Sequence, residues 1–210
     1  MELDEETWGR LERAIEVLAE EFAGIVSRDT IRRYIDDSLD RWLDARLTLH
    51  VPLLVHRFAR QRLRALAQAE GWAAKTVPEV LFVCERNAGR SQIAAAVVDH
   101  RAEGRVHVRS AGTAPADRIP LTVLDVMAEA GIPLAREFPK PFTDEVVRAA
   151  DIVVTMGCGE ACPVLPGKRY LDWDVADPDG RSHREVQEIV QEIDLLARDL
   201  LDELVRQPVG

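Results

Sequence analysis

The apolar run Val80-Leu-Phe-Val83 leads without a break into Cys84-Glu-Arg-Asn-Ala-Gly-Arg90-Ser91, which opens an alanine-rich stretch of helical character. That succession reads as a buried strand, a tight loop and a helix start. It restricts the chain to folds in which a strand end and a helix N-terminus face one point. Five residues between the cysteine and the arginine let the backbone curl so that the N–H groups of Glu85, Arg86, Asn87, Ala88 and Gly89 turn inward, a nest for a tetrahedral oxyanion. The helix aims its positive end at the same spot, and Arg90 can close the cradle with a guanidinium fork. Cys84 then lies at the floor, where amides, dipole and Arg90 all favour its thiolate. Asn87 supports the turn through left-handed backbone or side-chain bonds, and Ser91 is placed to donate a hydrogen bond to the sulfur. Arg86 faces either outward or into the mouth. A nucleophilic thiolate beneath a bound oxyanion implies chemistry on phosphorus or arsenic.

The rest of the chain divides near residues 71–78. Before that point the apolar period is helical. One stripe holds Trp8, Leu11, Ala14, Ile15, Leu18, Ala19 and Phe22; a second holds Ile31, Tyr34, Ile35, Leu39, Trp42 and Leu43; a third follows Pro52 with Leu53, Leu54, Phe58, Leu63, Leu66 and Ala67. Gly24 and Ser27–Thr30 separate the first two, and Thr48–Pro52 the second and third. The pattern predicts an all-α three-helix bundle over 1–75, joined by the linker Gly71–Pro78 to a second domain over 78–210. There, strands at Val80–Val83, Val106–Arg109, Asp151–Met156 and Lys168–Asp172 alternate with helices near Ser91–Glu103 and Leu121–Ala130. A last helix runs from the capping box Ser182-x-x-Glu185 to about Val205. Alternation of this kind predicts an α/β fold, a four-stranded parallel sheet flanked by helices on both faces, with ligands at the carboxyl ends of its strands.

With Ser110-Ala-Gly-Thr113 and Asp177-Pro178 added to the Cys-x5-Arg-Ser loop, the chain resembles the low-molecular-weight protein tyrosine phosphatase superfamily, and within it the arsenate reductases. The resemblance covers roughly 78–200 and leaves the helical bundle without a role. It implies a sheet order of 2-1-3-4, Asp177 as general acid on a loop stiffened by Pro178, and Ser110 as a brace for the oxyanion loop. Two departures stand out. Related phosphatases usually have proline after the Arg-Ser pair, where this chain has Gln92, and aromatic residues after the Asp-Pro, where it has Asp179-Gly180. The missing aromatic wall favours a small inorganic oxyanion over phosphotyrosine.

In the implied order the first and third strands are neighbours, so Cys158 leaves the sheet beside the loop that holds Cys84. Gly157 and Gly159 flank it and let the segment move, which suits disulfide exchange. Cys162 lies one helical turn on, about 6 Å between Cα atoms, within bridging range. Zinc is a poor fit, because two cysteines with scattered histidines do not supply four ligands. The resemblance therefore implies reduction of arsenate to arsenite through a thiolate–arsenic adduct on Cys84, then a Cys84–Cys158–Cys162 relay reduced by a thioredoxin-type partner, with no bound cofactor. The same resemblance leaves open an external low-molecular-weight thiol of the mycothiol type, served by a glutaredoxin-like (mycoredoxin-type) protein, or a phosphatase that needs only Cys84, Arg90 and Asp177.

Bulk properties narrow the partners. A formal net charge of −10 disfavours nucleic acid and anionic membranes. No apolar stretch nears the roughly 20 residues of a membrane span, and the acidic start Met-Glu-Leu-Asp-Glu-Glu lacks a secretion pattern, so a cytoplasmic location is expected. Three cysteines, an odd number, suit reactivity better than a disulfide framework.

Overall fold

The computed structural model describes residues 4–44, 51–135, 137–159, 162 and 164–206, without the side chains of 42–44 and 205. The chain separates into two compact units, Met1–Ala74 and Lys75–Gly210.

The first unit holds α1 (Glu5–Glu21), α2 (Arg28–Asp44) and α3 (Val51–Ala69), each packed on the other two. Its core is drawn from the expected stripes: Leu11, Ile15 and Leu18, then Ile31, Ile35 and Leu39, then Phe58 and Leu63 are all buried. In the first two helices these recur at three- and four-residue spacings because only one face of each helix can be covered. Trp8 and Leu53 lie on the apolar stripes yet are about half exposed, each in the first turn of its helix, where fewer neighbours reach. Val51 and Val55 take the buried positions at the start of α3 instead. The Trp42 and Leu43 side chains, and most of the expected break at Thr48–Pro52, lie outside the described residues. The arginines of α3 are matched inside the bundle: Arg60 and Arg64 both bind Glu21, at 2.6 and 2.8 Å. Buried Arg62 donates to Asp37 and lies over the rings of Tyr34 and Phe58.

The second unit is a parallel sheet, order β2-β1-β3-β4, from β1 (Glu79–Cys84), β2 (His107–Gly112), β3 (Ile152–Met156) and β4 (Arg169–Asp172). β1 is central and buried throughout, which is why it is an unbroken apolar run. Val80, Phe82 and Cys84 point to a core shared with α4 (Arg90–Ala102), α5 (Leu121–Glu129) and α7 (His183–Arg206), through Ile93, Val97, Met127 and Ile193. Leu81 and Val83 alternate to the other face, where α6 (Asp144–Ala149) packs on β1. This short helix has no counterpart among the elements expected from the sequence. The capping box closes as anticipated: Glu185 accepts from the Ser182 N–H at 2.9 Å, and the Glu185 N–H donates back to Ser182 Oγ at 3.4 Å. No described helix is long and apolar enough to cross a membrane.

At the opposite end of β1 from Cys84, Glu79 is buried within the sheet and accepts from Arg109 Nε at 2.8 Å, with His107 Nδ1 at 3.0 Å. Burial alone would raise its carboxyl, but the His107 hydrogen bond and the Arg109 charge outweigh it and hold the pKa at about 2. A carboxyl depressed on folding stabilises the folded state above its unfolded value, near 4.5, and loses that contribution as pH falls toward about 2. Glu79→Gln should therefore cost about 3 kcal/mol at pH 7. The gap to the parent chain should shrink steadily below pH 4.5, as read from urea unfolding midpoints across that range.

Candidate active site

Cys84 ends β1 level with Gly112 of β2 and Met156 of β3, so three strand ends converge at its sulfur. The Asn87 N–H donates to Sγ at 3.2 Å, and Ser91 Oγ lies 3.0 Å away. Asn87 Nδ2 already donates to that hydroxyl oxygen at 2.8 Å, so the Ser91 proton is free to point at the sulfur. Asn87 takes a left-handed backbone, φ 45°. Its Oδ1 accepts from the Lys140 N–H at 2.7 Å and from Gln92 Nε2 at 3.1 Å. Gln92 Nε2 also reaches the Phe138 carbonyl at 2.8 Å. Gln92, the departure from the usual proline, is thus a buried tie between the loop and the segment before α6.

The loop backbone is stitched to the chain beyond β2. Thr113, Ala114 and Ala116 donate in turn to the carbonyls of Cys84, Glu85 and Arg86, at 3.2, 2.8 and 2.9 Å. Those three amides are the braces. Ser110, expected in that role, lies lower in β2 opposite Phe82, and among the described residues no hydrogen bond joins its side chain to the loop. β2 runs on through Ala111 and Gly112, paired with Val83 and Cys84 of β1. A Cβ at Gly112 would stand 2.7 Å from the Glu85 carbonyl oxygen and 2.8 Å from the Asn87 nitrogen, so glycine is required.

Arg90 begins α4, and its Nη2 donates to Asp177 at 2.8 Å. Its Nε is buried with no acceptor among the described residues, a donor held ready for an anion. Pro178 packs directly over Gly89, where a Cβ would lie 2.4 Å from the proline ring. Arg86 faces the mouth and pairs with Asp179. Cys84, Arg86, Ala88, Gly89, Arg90 and Asp177 all line one cavity of about 430 Å³, together with the half-buried Pro120 and the exposed Arg118, Leu121 and Asp179. Glu85 contributes its backbone, with its side chain exposed. No aromatic ring lines the cavity among the described residues.

Past β3, Cys158 is disulfide-bonded to Cys162, Cα–Cα 5.8 Å, whereas Cys84 is a free thiol. Glu160, Ala161 and Pro163 of that segment lie outside the described residues. Gly157, with φ 67°, has a second reason to be glycine besides mobility: a Cβ there would fall 2.3 Å from Arg90 Nη1. Gln92 is marked in the sequence by the missing proline. Nothing local marks Lys140 or Arg118, whose importance comes from contacts across the fold.

A strand-end thiol with two donors on its sulfur, an arginine with a spare buried donor and an aspartate across the mouth can attack a tetrahedral oxyanion and protonate its leaving oxygen. Comparison with known proteins agrees in kind. The family described as low molecular weight phosphotyrosine protein phosphatase matches residues 79–209, and the protein-tyrosine-phosphatase-like N-terminal domain matches residues 11–67. The solved thioredoxin-dependent arsenate reductase of Corynebacterium glutamicum is 46% identical, with TM-score 0.85, over 94% of this chain and 98% of that one. A candidate arsenate reductase of Halobacterium salinarum is 36% identical over 127 residues, 58% of this chain and 89% of the relative. A glutaredoxin arsenate reductase of Synechocystis is 32% identical over 107 residues, 50% of this chain and 81% of the relative. With the strand-end cysteine loop and a match spanning most of its length, the chain belongs to the low molecular weight phosphotyrosine protein phosphatase family.

Proposed function

We propose that this chain reduces arsenate to arsenite, using Cys84 as nucleophile and Cys158 and Cys162 as an internal relay regenerated by a thioredoxin-type protein. The observation that carries the reading is the pairing state of the cysteines: a Cys158–Cys162 disulfide on the arm after β3, beside a free Cys84 in the oxyanion loop. That is the state in which such a relay ends. The likeness to a thioredoxin-dependent arsenate reductase supports the substrate and the class of partner.

Arsenate enters the loop against the amides and Arg90. The Cys84 thiolate attacks arsenic, and an As–O bond breaks as Asp177 relays a proton from another arsenate hydroxyl to the departing oxygen, giving water and an S–As adduct. The Cys158 thiolate then attacks Cys84 Sγ. The S–As pair of electrons stays with arsenic, which leaves as arsenite, two electrons reduced, and a Cys84–Cys158 disulfide forms. Cys162 next attacks Cys158 Sγ, frees the Cys84 thiolate and moves the disulfide outward. An external dithiol reduces Cys158–Cys162 and closes the cycle. Ser91, aimed at Cys84, stabilises its sulfur each time it departs as thiolate.

Single turnover tests this. Fully reduced chain, mixed with arsenate and no added thiol, should yield about one arsenite per chain as two thiols disappear. Arsenite that forms only with an added low-molecular-weight thiol would replace the relay with external attack on the Cys84 adduct. No arsenite under either condition, with hydrolysis of a phosphate ester, would make the chain a phosphatase.

A further inference from the structure

The cavity lining carries a cation that the chemistry above does not use. Three arginines and two aspartates line the cavity. Arg90 is paired with Asp177, and Arg86 with Asp179. Arg118 has no ion pair or hydrogen bond among the described residues, and its side chain is exposed. The chain on either side of it, in contrast, is held. The Ala116 N–H donates to the Arg86 carbonyl at 2.9 Å on one side, and Ile119 is buried on the other. The same stitching that braces the oxyanion loop therefore keeps the segment carrying Arg118 beside the cavity, while leaving its guanidinium available.

We infer that Arg118 is a capture residue for the oxyanion, a mouth guanidinium that draws a tetrahedral dianion out of solvent and hands it down to Arg90 and the loop amides. This deepens the arsenate-reducing reading and rests on it only for the identity of the anion. The whole chain carries a formal charge of −10, so an incoming dianion depends on local positive charge to be drawn to the site. Among the lining residues the aspartates pair with Arg86 and Arg90, so the lining cation left without a pair is Arg118. Its planar fork suits a tetrahedral oxyanion. The arrangement also gives direction. Arsenate is anionic at neutral pH and arsenous acid is uncharged, so a cation at the mouth attracts the reactant without retaining the product.

The test uses the full chain with its Cys158–Cys162 disulfide in place, so that Cys84 is the thiol open to iodoacetamide. Inorganic phosphate, a non-reducible oxyanion, protects Cys84, and the concentration that halves alkylation is compared across Arg118 variants. R118A should need about fivefold more phosphate at low salt, the size expected for one exposed charged contact. R118E should need still more, and R118K should return close to the parent. The differences should fade at about 1 M salt, where the screening length is only about 3 Å. In turnover, the R118A change should fall on KM for arsenate rather than on kcat. Unchanged phosphate protection in both R118A and R118E at low salt would overturn the inference. So would a rise confined to the KM for thioredoxin, which would assign Arg118 to partner docking. Phosphate protection needs no arsenic reduction, so it still reports on Arg118 if the arsenate reading fails.

Discussion

Replacing Cys84 with serine should end arsenate turnover, by roughly 10⁴-fold or more, while the fold stands. A serine hydroxyl at the floor of the loop keeps the partners that the sulfur has, the Asn87 N–H at 3.2 Å and Ser91 Oγ at 3.0 Å. Its burial is thus satisfied, and the stability change should stay within about 1 kcal/mol. Phosphate binding should persist, because the amides and Arg90 are untouched. Steady-state arsenite release, a thermal melt and phosphate titration by calorimetry would together separate loss of nucleophile from loss of site. A variant that still turns over arsenate would remove Cys84 from the chemistry.

The second large effect is a division between the other two cysteines. Cys158→Ser should release no arsenite without added thiol, because the S–As bond on Cys84 then meets no attacking sulfur. Cys162→Ser should release one equivalent and stop, holding a Cys84–Cys158 disulfide. Peptide mapping after quenching should find that cross-link in the Cys162 variant and no disulfide in the Cys158 variant. If Cys158→Ser releases a full equivalent in the absence of any thiol, the internal relay is wrong.

Much of this architecture is legible in local sequence, and what is not legible has a physical cause. β1 and the loop after it are written in consecutive residues, and the start of α7 in a four-residue box, so both are read without knowledge of the fold. The 2-1-3-4 order needs a family resemblance, since nothing in β2 or β3 says which side of β1 each will take. The apolar stripes of the bundle are plain as periods, yet Trp8 and Leu53 are half exposed because period does not say where along a helix a neighbour ends. α6 escapes a sequence reading because six residues are too few to display a helical repeat. The glycines divide in the same way. Gly157 reads as freedom to bend, while its φ of 67° and the Arg90 guanidinium that α4 brings beside it both disfavour a side chain there. Ser110 reads as a brace, whereas the amides of Thr113, Ala114 and Ala116 hold the loop, and backbone donors carry no signature in side-chain identity.

Because Gly157 lies so close to Arg90, the arm that bears Cys158 starts where the cradle's arginine rests. A side chain added at position 157 would have to displace that guanidinium. The group that holds the anion therefore limits which residue can root the arm.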